Sequence, residues 1–172
     1  MRDLILEKVR DAAELLGLPR EHVMTKSYQD NLTLPRPRVE LDFLPETYQR
    51  TGRRLGEIKV SEGQLNIKKE NYEINLPVVA QILARDPEWL KESCYQLAAA
   101  LPRAFDDRHG NHVTMQAVQG EWEDFAVRRV GSKEIDPIKK RGYLLHLTVI
   151  WRMTSEQLVE RISDINLKVG DD

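Results

Sequence analysis

"YEINLPVVAQILARDPEWLKESCYQLAAALP", Tyr72 to Pro102, changes its hydrophobic period midway, and that change decides the fold. Tyr72, Ile74, Leu76, Val78, Ala80 and Ile82 alternate with mostly polar neighbours, the repeat of a strand that keeps one face in a core. Pro77 has no N–H to give to a ladder, so this strand either lies at a sheet edge or bends there. Asp86 and Pro87 then make a sharp helix start, a capping side chain followed by proline at the first helical position. Leu90, Cys94, Leu97, Ala98 and Leu101 fall on one face of that helix before Pro102.

Toward the N-terminus, Ile5, Val9, Ala12 and Leu16 are spaced by three or four, a second helical face, which Gly17 and Pro19 stop. Residues 20–37 are polar and read as a connection. Val39, Leu41 and Phe43 alternate with Glu40 and Asp42, a short half-buried strand that Pro45 ends. Residues 45–70 are polar, with small apolar alternations at Ile58/Val60 and Leu65/Ile67 on either side of Ser61, Glu62 and Gly63. A hairpin arm with its turn there is the simplest reading, because structureless connections of this length are uncommon inside a domain.

Toward the C-terminus, Asp106 to Asn111 reads as a turn and Val113, Met115 and Ala117 as a strand. Residues 120–142 read as a second long loop. Tyr143, Leu145, Leu147, Val149 and Trp151 line one face of the next strand and Leu144, His146, Thr148 and Ile150 the other, a two-sided pattern that implies a central place in the sheet. Thr154 and Gln157 have capping-box spacing and predict a short helix before Leu158 and Ile162. Ile165, Leu167 and Val169 suggest a last short strand. The expected class is therefore α+β: a single domain over 1–172, with a mixed or antiparallel four-stranded sheet, two main helices packed on one face and a projecting hairpin arm.

The 172 residues fit one domain, and a chain of this size buries roughly two-thirds of its unfolded surface, so no metal or disulfide staple is required. Lysine and arginine number 26 against 28 aspartate and glutamate, a net charge of −2, which gives no general argument for nucleic acid as the main partner. Cys94 is the single cysteine, which excludes an internal disulfide and a cysteine-based zinc site. "MRDLILEKVRDAAELLG" alternates apolar and charged residues too evenly for a signal peptide, and no run approaches the roughly 18 apolar residues of a membrane span. A soluble, intracellularly made protein is expected, without a membrane partner.

"RRLGEIKV", Arg53 to Val60, carries Glu57 and Lys59 one residue apart, with Asp42 upstream. Metal-dependent nucleases use such a spacing: Asp42 and Glu57 would hold magnesium, and Lys59 would stabilise charge or position the attacking water. Short matches of this kind arise easily by chance, and the competing reading is a solvated arm. His109 and His112 beside Asp106 and Asp107 invite a metal reading, but Asp, Asn, Gly and His are ordinary turn residues. His146 reads as a satisfied core or interface histidine and Cys94 as a small core residue. No serine has a nucleophile-elbow context and no glycine-rich phosphate loop follows a strand, so no catalytic, cofactor or metal residue is assigned. Arg50, Arg53, Arg54, Lys59, Lys68 and Lys69 make the arm basic, and Arg128 and Arg129 do so for the second loop. Charged segments on a sheet scaffold are where binding is usually carried, and they also serve simply to keep loops in water.

The order of an N-terminal helix, a "PRPRVELDF" strand, a long arm, the "YEINLPVVAQILA" strand, the "DPEWLKESCYQLAAALP" helix and two closing strands resembles the tail terminator proteins of long-tailed bacteriophages and prophages. The likeness covers nearly the whole chain and is one of length and order, without a short diagnostic motif. It implies a structural protein rather than an enzyme, with no cofactor. Such a subunit would be made in the bacterial host cytoplasm and work in the virion tail. Its partners would be itself, as a six-membered ring, the tail tube protein and a head–tail connector protein, with DNA only passing through the lumen. Arg50, Arg53, Arg54, Lys59, Lys68, Lys69, Arg128 and Arg129 become expected interface positions.

Overall fold

The computed structural model describes residues 1–26, 37–61, 64–127 and 138–160. Along the chain run helix α1 (Arg2–Glu14), a 3₁₀ turn (Arg20–His22) and strands β1 (Val23–Thr25), β2 (Arg38–Phe43), β3 (Thr47–Ser61) and β4 (Gln64–Leu83). Helix α2 (Pro87–Ala100) and strands β5 (Ala104–Asp106), β6 (His112–Val127) and β7 (Ile138–Glu160) follow. Seven strands form one mixed sheet in the order β1-β2-β4-β7-β6-β5, with β3 also paired to β4. β1 runs parallel to β2, whereas β2–β4, β5–β6 and β6–β7 are antiparallel.

This corrects the expected class. The protein is mostly β, and the four-stranded sheet carrying two helices on one face does not describe it. β4 and β7 extend over 20 and 23 residues, far beyond the usual strand of about 3–10. Residues 120–127 and 138–142, expected as loop, are laddered strand from Gly120↔Leu145 to Val127↔Ile138. The helix expected after Thr154 is instead the end of β7. Hydrophobic periodicity overlooks strand that buries little: every residue from Gln116 to Glu123 is exposed, as are Ser155 to Leu158, whereas β3, equally exposed, pairs with β4 as the arm marked by Ile58/Val60 and Leu65/Ile67 predicts. The segment with Ile165, Leu167 and Val169 lies outside the described residues.

The chain divides into two compact units, one made of Met1–Thr47 and Asn75–Trp151, the other of Tyr48–Ile74 and Arg152–Asp172. In the first, Ile5, Val9, Ala12 and Ala13 of α1 and Leu90, Cys94 and Leu97 of α2 share a core with Val39, Leu41, Leu76, Val78, Ala80, Ile82, Leu145, Leu147 and Val149. Each fully buried aliphatic side chain contributes about 1.5–3 kcal/mol of transfer free energy. α1 ends where Gly17, at φ 75°, lets the Leu18 N–H reach the Ala13 carbonyl (3.1 Å) and its own N–H reach Glu14 (2.9 Å). A left-handed glycine is the residue that closes a helix in this way. At α2 the Asp86 carboxylate accepts from the Glu88 N–H at 2.9 Å, the cap that the sequence predicts.

Pro77 is placed neither at a free edge nor inside an intact ladder. Phe43 pairs with Val78, and the next N–H, of Leu44, donates to the Pro77 carbonyl at 3.0 Å. In an antiparallel ladder one residue's N–H and C=O point the same way, so the donor that proline lacks faces Leu44–Glu46, the break between β2 and β3.

Candidate functional site

The second unit holds β3 and the first half of β4, and here the basic residues fall on strands. Arg50, Arg53, Arg54 and Lys59 are all exposed on β3; on β4 Lys68 is exposed and Lys69 half-buried. Arg128 and Arg129 lie outside the described residues. Polar cross-strand links hold this unit. The Thr51 hydroxyl donates to the Glu70 carbonyl (3.1 Å), Asn66 Nδ2 to Glu156 Oε2 (2.9 Å), Lys69 Nζ to Gln157 Oε1 (3.1 Å) and Ser155 Oγ to Asn71 Oδ1 (3.3 Å). Tyr48 meets Tyr72 edge-on at 6.4 Å. These partners explain why residues 154–160 stay extended: a strand there pairs side chains with β4, which a short helix with two apolar residues would forfeit.

Beneath these links Glu70 is buried, with Oε2 3.4 Å from Arg152 Nε but in no hydrogen bond. The contact is an ion pair whose geometry is too poor for a hydrogen bond, and Glu73 adds a second carboxylate 3.9 Å from the same nitrogen. Composition gives no hint of it, because neither residue lies in an apolar pattern.

The nuclease residues fall in different units. Asp42, on β2, belongs to the first unit, where Lys26 Nζ lies 3.1 Å from its carboxylate. Glu57 and Lys59 belong to β3 in the second, with Glu57 paired to Arg54. Among the described residues no three His, Cys, Asp or Glu side chains gather as a metal centre would need. Asp107 instead organises its own turn, accepting from the backbone N–H groups of His109 and Asn111, both at 2.8 Å, and from Asn111 Nδ2 at 3.0 Å. Partial burial raises the Asp107 carboxyl, but these hydrogen bonds outweigh it and leave the group below its ordinary value. His146 Nε2 lies 2.9 Å from Glu121 Oε1. Cys94 is fully buried, donates to the Lys91 carbonyl at 3.2 Å, and has its thiol pushed up by desolvation.

Besides the three-residue terminal strands β1 and β5, two longer stretches have a ladder partner on one side only among the described residues. β3 pairs only with β4. β5 covers β6 from His112 to Thr114, and Arg103 O accepts from Met115 N at 3.0 Å, after which Gln116 onward has a ladder partner only on the β7 side. Beside that edge Trp122 stacks edge-on with Tyr143 at 5.0 Å, and Tyr95 approaches the same ring at 6.1 Å. Pro87, Leu90, Lys91, Tyr95 and Trp122 line a groove of about 350 Å³. Periodicity overlooks the β6 edge; the residue of β6 that signals its twist is the bulge at Val118, visible only in the register shift between Ala117 and Gln119.

The chain matches no protein-family model, and none of the curated proteins matches it in sequence.

Proposed function

We propose that this chain is a structural assembly protein that caps a phage or prophage tail tube as an oligomeric ring and prepares it for head joining. The observation that carries the proposal is β3, a 15-residue strand exposed on both faces, basic, and paired on one side only among the described residues. A strand of this length with unfilled backbone donors and acceptors is a ready template for another chain, and soluble proteins seldom leave one open without a use. If the chain is such a subunit, a long arm of this kind could reach the neighbouring subunit or the tube. Near-balanced charge suits protein partners, with DNA only passing through the lumen. The basic residues of the arm then act as contacts, and no chemistry is asked of Asp42, Glu57 or Lys59.

The test is to add the purified chain to polymerising tail tube protein from the same gene neighbourhood and measure tube length by negative-stain electron microscopy. Tubes that stop growing with a ring at one end are expected. Tubes that elongate unchanged and carry no bound chain would refute the proposal. So would magnesium-dependent cleavage of plasmid DNA that disappears in Glu57→Ala and Lys59→Ala.

A further inference from the structure

We propose that neighbouring copies join by strand addition, the basic edge of β3 in one copy pairing with the acidic edge of β6, residues 116–123, in the next. This rests on the ring-forming reading above and supplies its contact. Both stretches are exposed throughout and have a ladder partner on one side only among the described residues. Their charges are opposite: β3 carries Arg50, Arg53, Arg54 and Lys59 against Glu57, whereas 116–123 carries Glu121 and Glu123 and no lysine or arginine. Both also present apolar side chains to solvent, Leu55, Ile58 and Val60 on β3 and Val118 and Trp122 on β6. After the bulge at Val118 the ladder to β7 is regular from Gln119↔His146 to Glu123↔Gly142, so the open side of this stretch presents ordinary strand geometry.

The same charges decide which partner is chosen. Two β3 edges brought together would set arginines against arginines, and two β6 edges glutamates against glutamates; like charges placed opposite one another destabilise a strand pair. Only the unlike pair is favourable. A contact between two different surfaces is heterologous, and repeated through identical subunits it closes a ring or propagates a helix rather than stopping at a two-fold dimer. Glu121 keeps nearly half its side chain exposed while it meets His146, so its charge still reaches the edge.

The experiment uses the full chain in three forms: wild type, an Arg50→Glu/Arg53→Glu variant and a Glu121→Lys/Glu123→Lys variant. Sedimentation velocity over a concentration series and ring counts on capped tubes are the readouts, with far-UV circular dichroism as the folding control. Each variant alone is expected to associate about tenfold or more weakly, because opposed charges become like charges. Mixed in equal amounts the two variants should recover association, since each then meets an oppositely charged edge in an alternating ring. Recovery on mixing also shows that both variants are folded. If both associate as wild type does, or the mixture stays as weak as its parts, strand addition between β3 and β6 is wrong while the ring reading stands. If the wild type neither self-associates nor caps tubes, both fail together.

Discussion

Gly120 faces the ring of Tyr143, and replacing its hydrogen with a methyl group tests whether the aromatic cluster of Trp122, Tyr143 and Tyr95 is fixed in place. A Cβ built at Gly120 would overlap the Tyr143 hydroxyl oxygen and lie 2.6 Å from Cζ and 3.1 Å from Cε1, all inside van der Waals contact. The ring has little room to retreat, being 7% exposed and held by Trp122 at 5.0 Å and Tyr95 at 6.1 Å. Forcing one methylene-sized group into a packed site costs about 1–3 kcal/mol, while glycine to alanine in a strand otherwise gains about 0.5–1 kcal/mol. A net loss of about 1–2 kcal/mol is expected for Gly120→Ala, or a fall in Tm of roughly 2–8 °C for a chain of this size. Urea unfolding followed by tryptophan fluorescence measures it. The decisive comparison is Gly120→Ala in a Tyr143→Ala background, where the clash is gone and the substitution should be neutral or stabilising. Gly120→Ala at or above wild-type stability would refute the packing argument, and so would an equal penalty in both backgrounds.

Three further outcomes are expected. Arg152→Met leaves Glu70 buried beside no cation, and because Arg152 is itself half exposed the loss should be near the lower end for a broken pair, about 1–2 kcal/mol, partly recovered by adding Glu70→Gln; chemical denaturation of the single and double variants decides it. Asp86→Ala removes the cap of α2 and should cost about 1 kcal/mol in the same assay. The Glu7 carboxyl is lowered first by its hydrogen bond from Arg10, against opposing desolvation and with help from Arg20, so its contribution is full above its ordinary value of 4.5 and disappears as pH falls through the lower folded value. Tm measured across that acid window should therefore fall less steeply in Arg20→Ala than in wild type.

Helix α2 is legible in the sequence because a cap, a proline and a one-sided apolar face all agree, and local consistency of this kind leaves no rival conformation. β2 and the half of β4 that meets it are legible because apolar residues alternate along them; the sequence does not show that the other face of β2 is buried too, with Arg38 paired to Glu40. β3 is legible in part, as the leg of an arm marked by Ile58 and Val60; the second half of β6 and the end of β7 are not, because exposed strands keep their backbone pairing while losing the alternation that marks a strand. Thr154 and Gln157 show the same failure from the other side. Their spacing satisfies a helix rule, but seven residues with few apolar groups gain more from side-chain pairing with Asn66, Lys69 and Asn71 than from a helix of their own. Of the candidate interface, the sequence picks out the basic residues of β3 by composition. It conceals the acidic edge of β6, since Glu121 and Glu123 sit in what reads as loop and acquire a common setting only through the register with β7.

Arg20 sits at the meeting point of three carboxylates of α1, bonding Asp11 at 2.7 Å, Glu14 at 3.0 Å and Glu7 at 2.5 Å. Glu7 and Asp11 are four residues apart and Asp11 and Glu14 three, so on the bare helix they repel each other, at a few tenths of a kcal/mol per pair. Arg10, 2.6 Å from Glu7, and Lys8, 3.9 Å from Asp11, offset part of this from within the helix, and Arg20, beyond its end, adds to that offset. Formation of the helix is tied to the reversal of the chain through Gly17 and Pro19, which brings Arg20 back alongside. A peptide of residues 1–16 should be nearly unstructured in water, and one reaching through His22 measurably more helical. Added helicity in the longer peptide would show that the turn supports the helix as well as ending it.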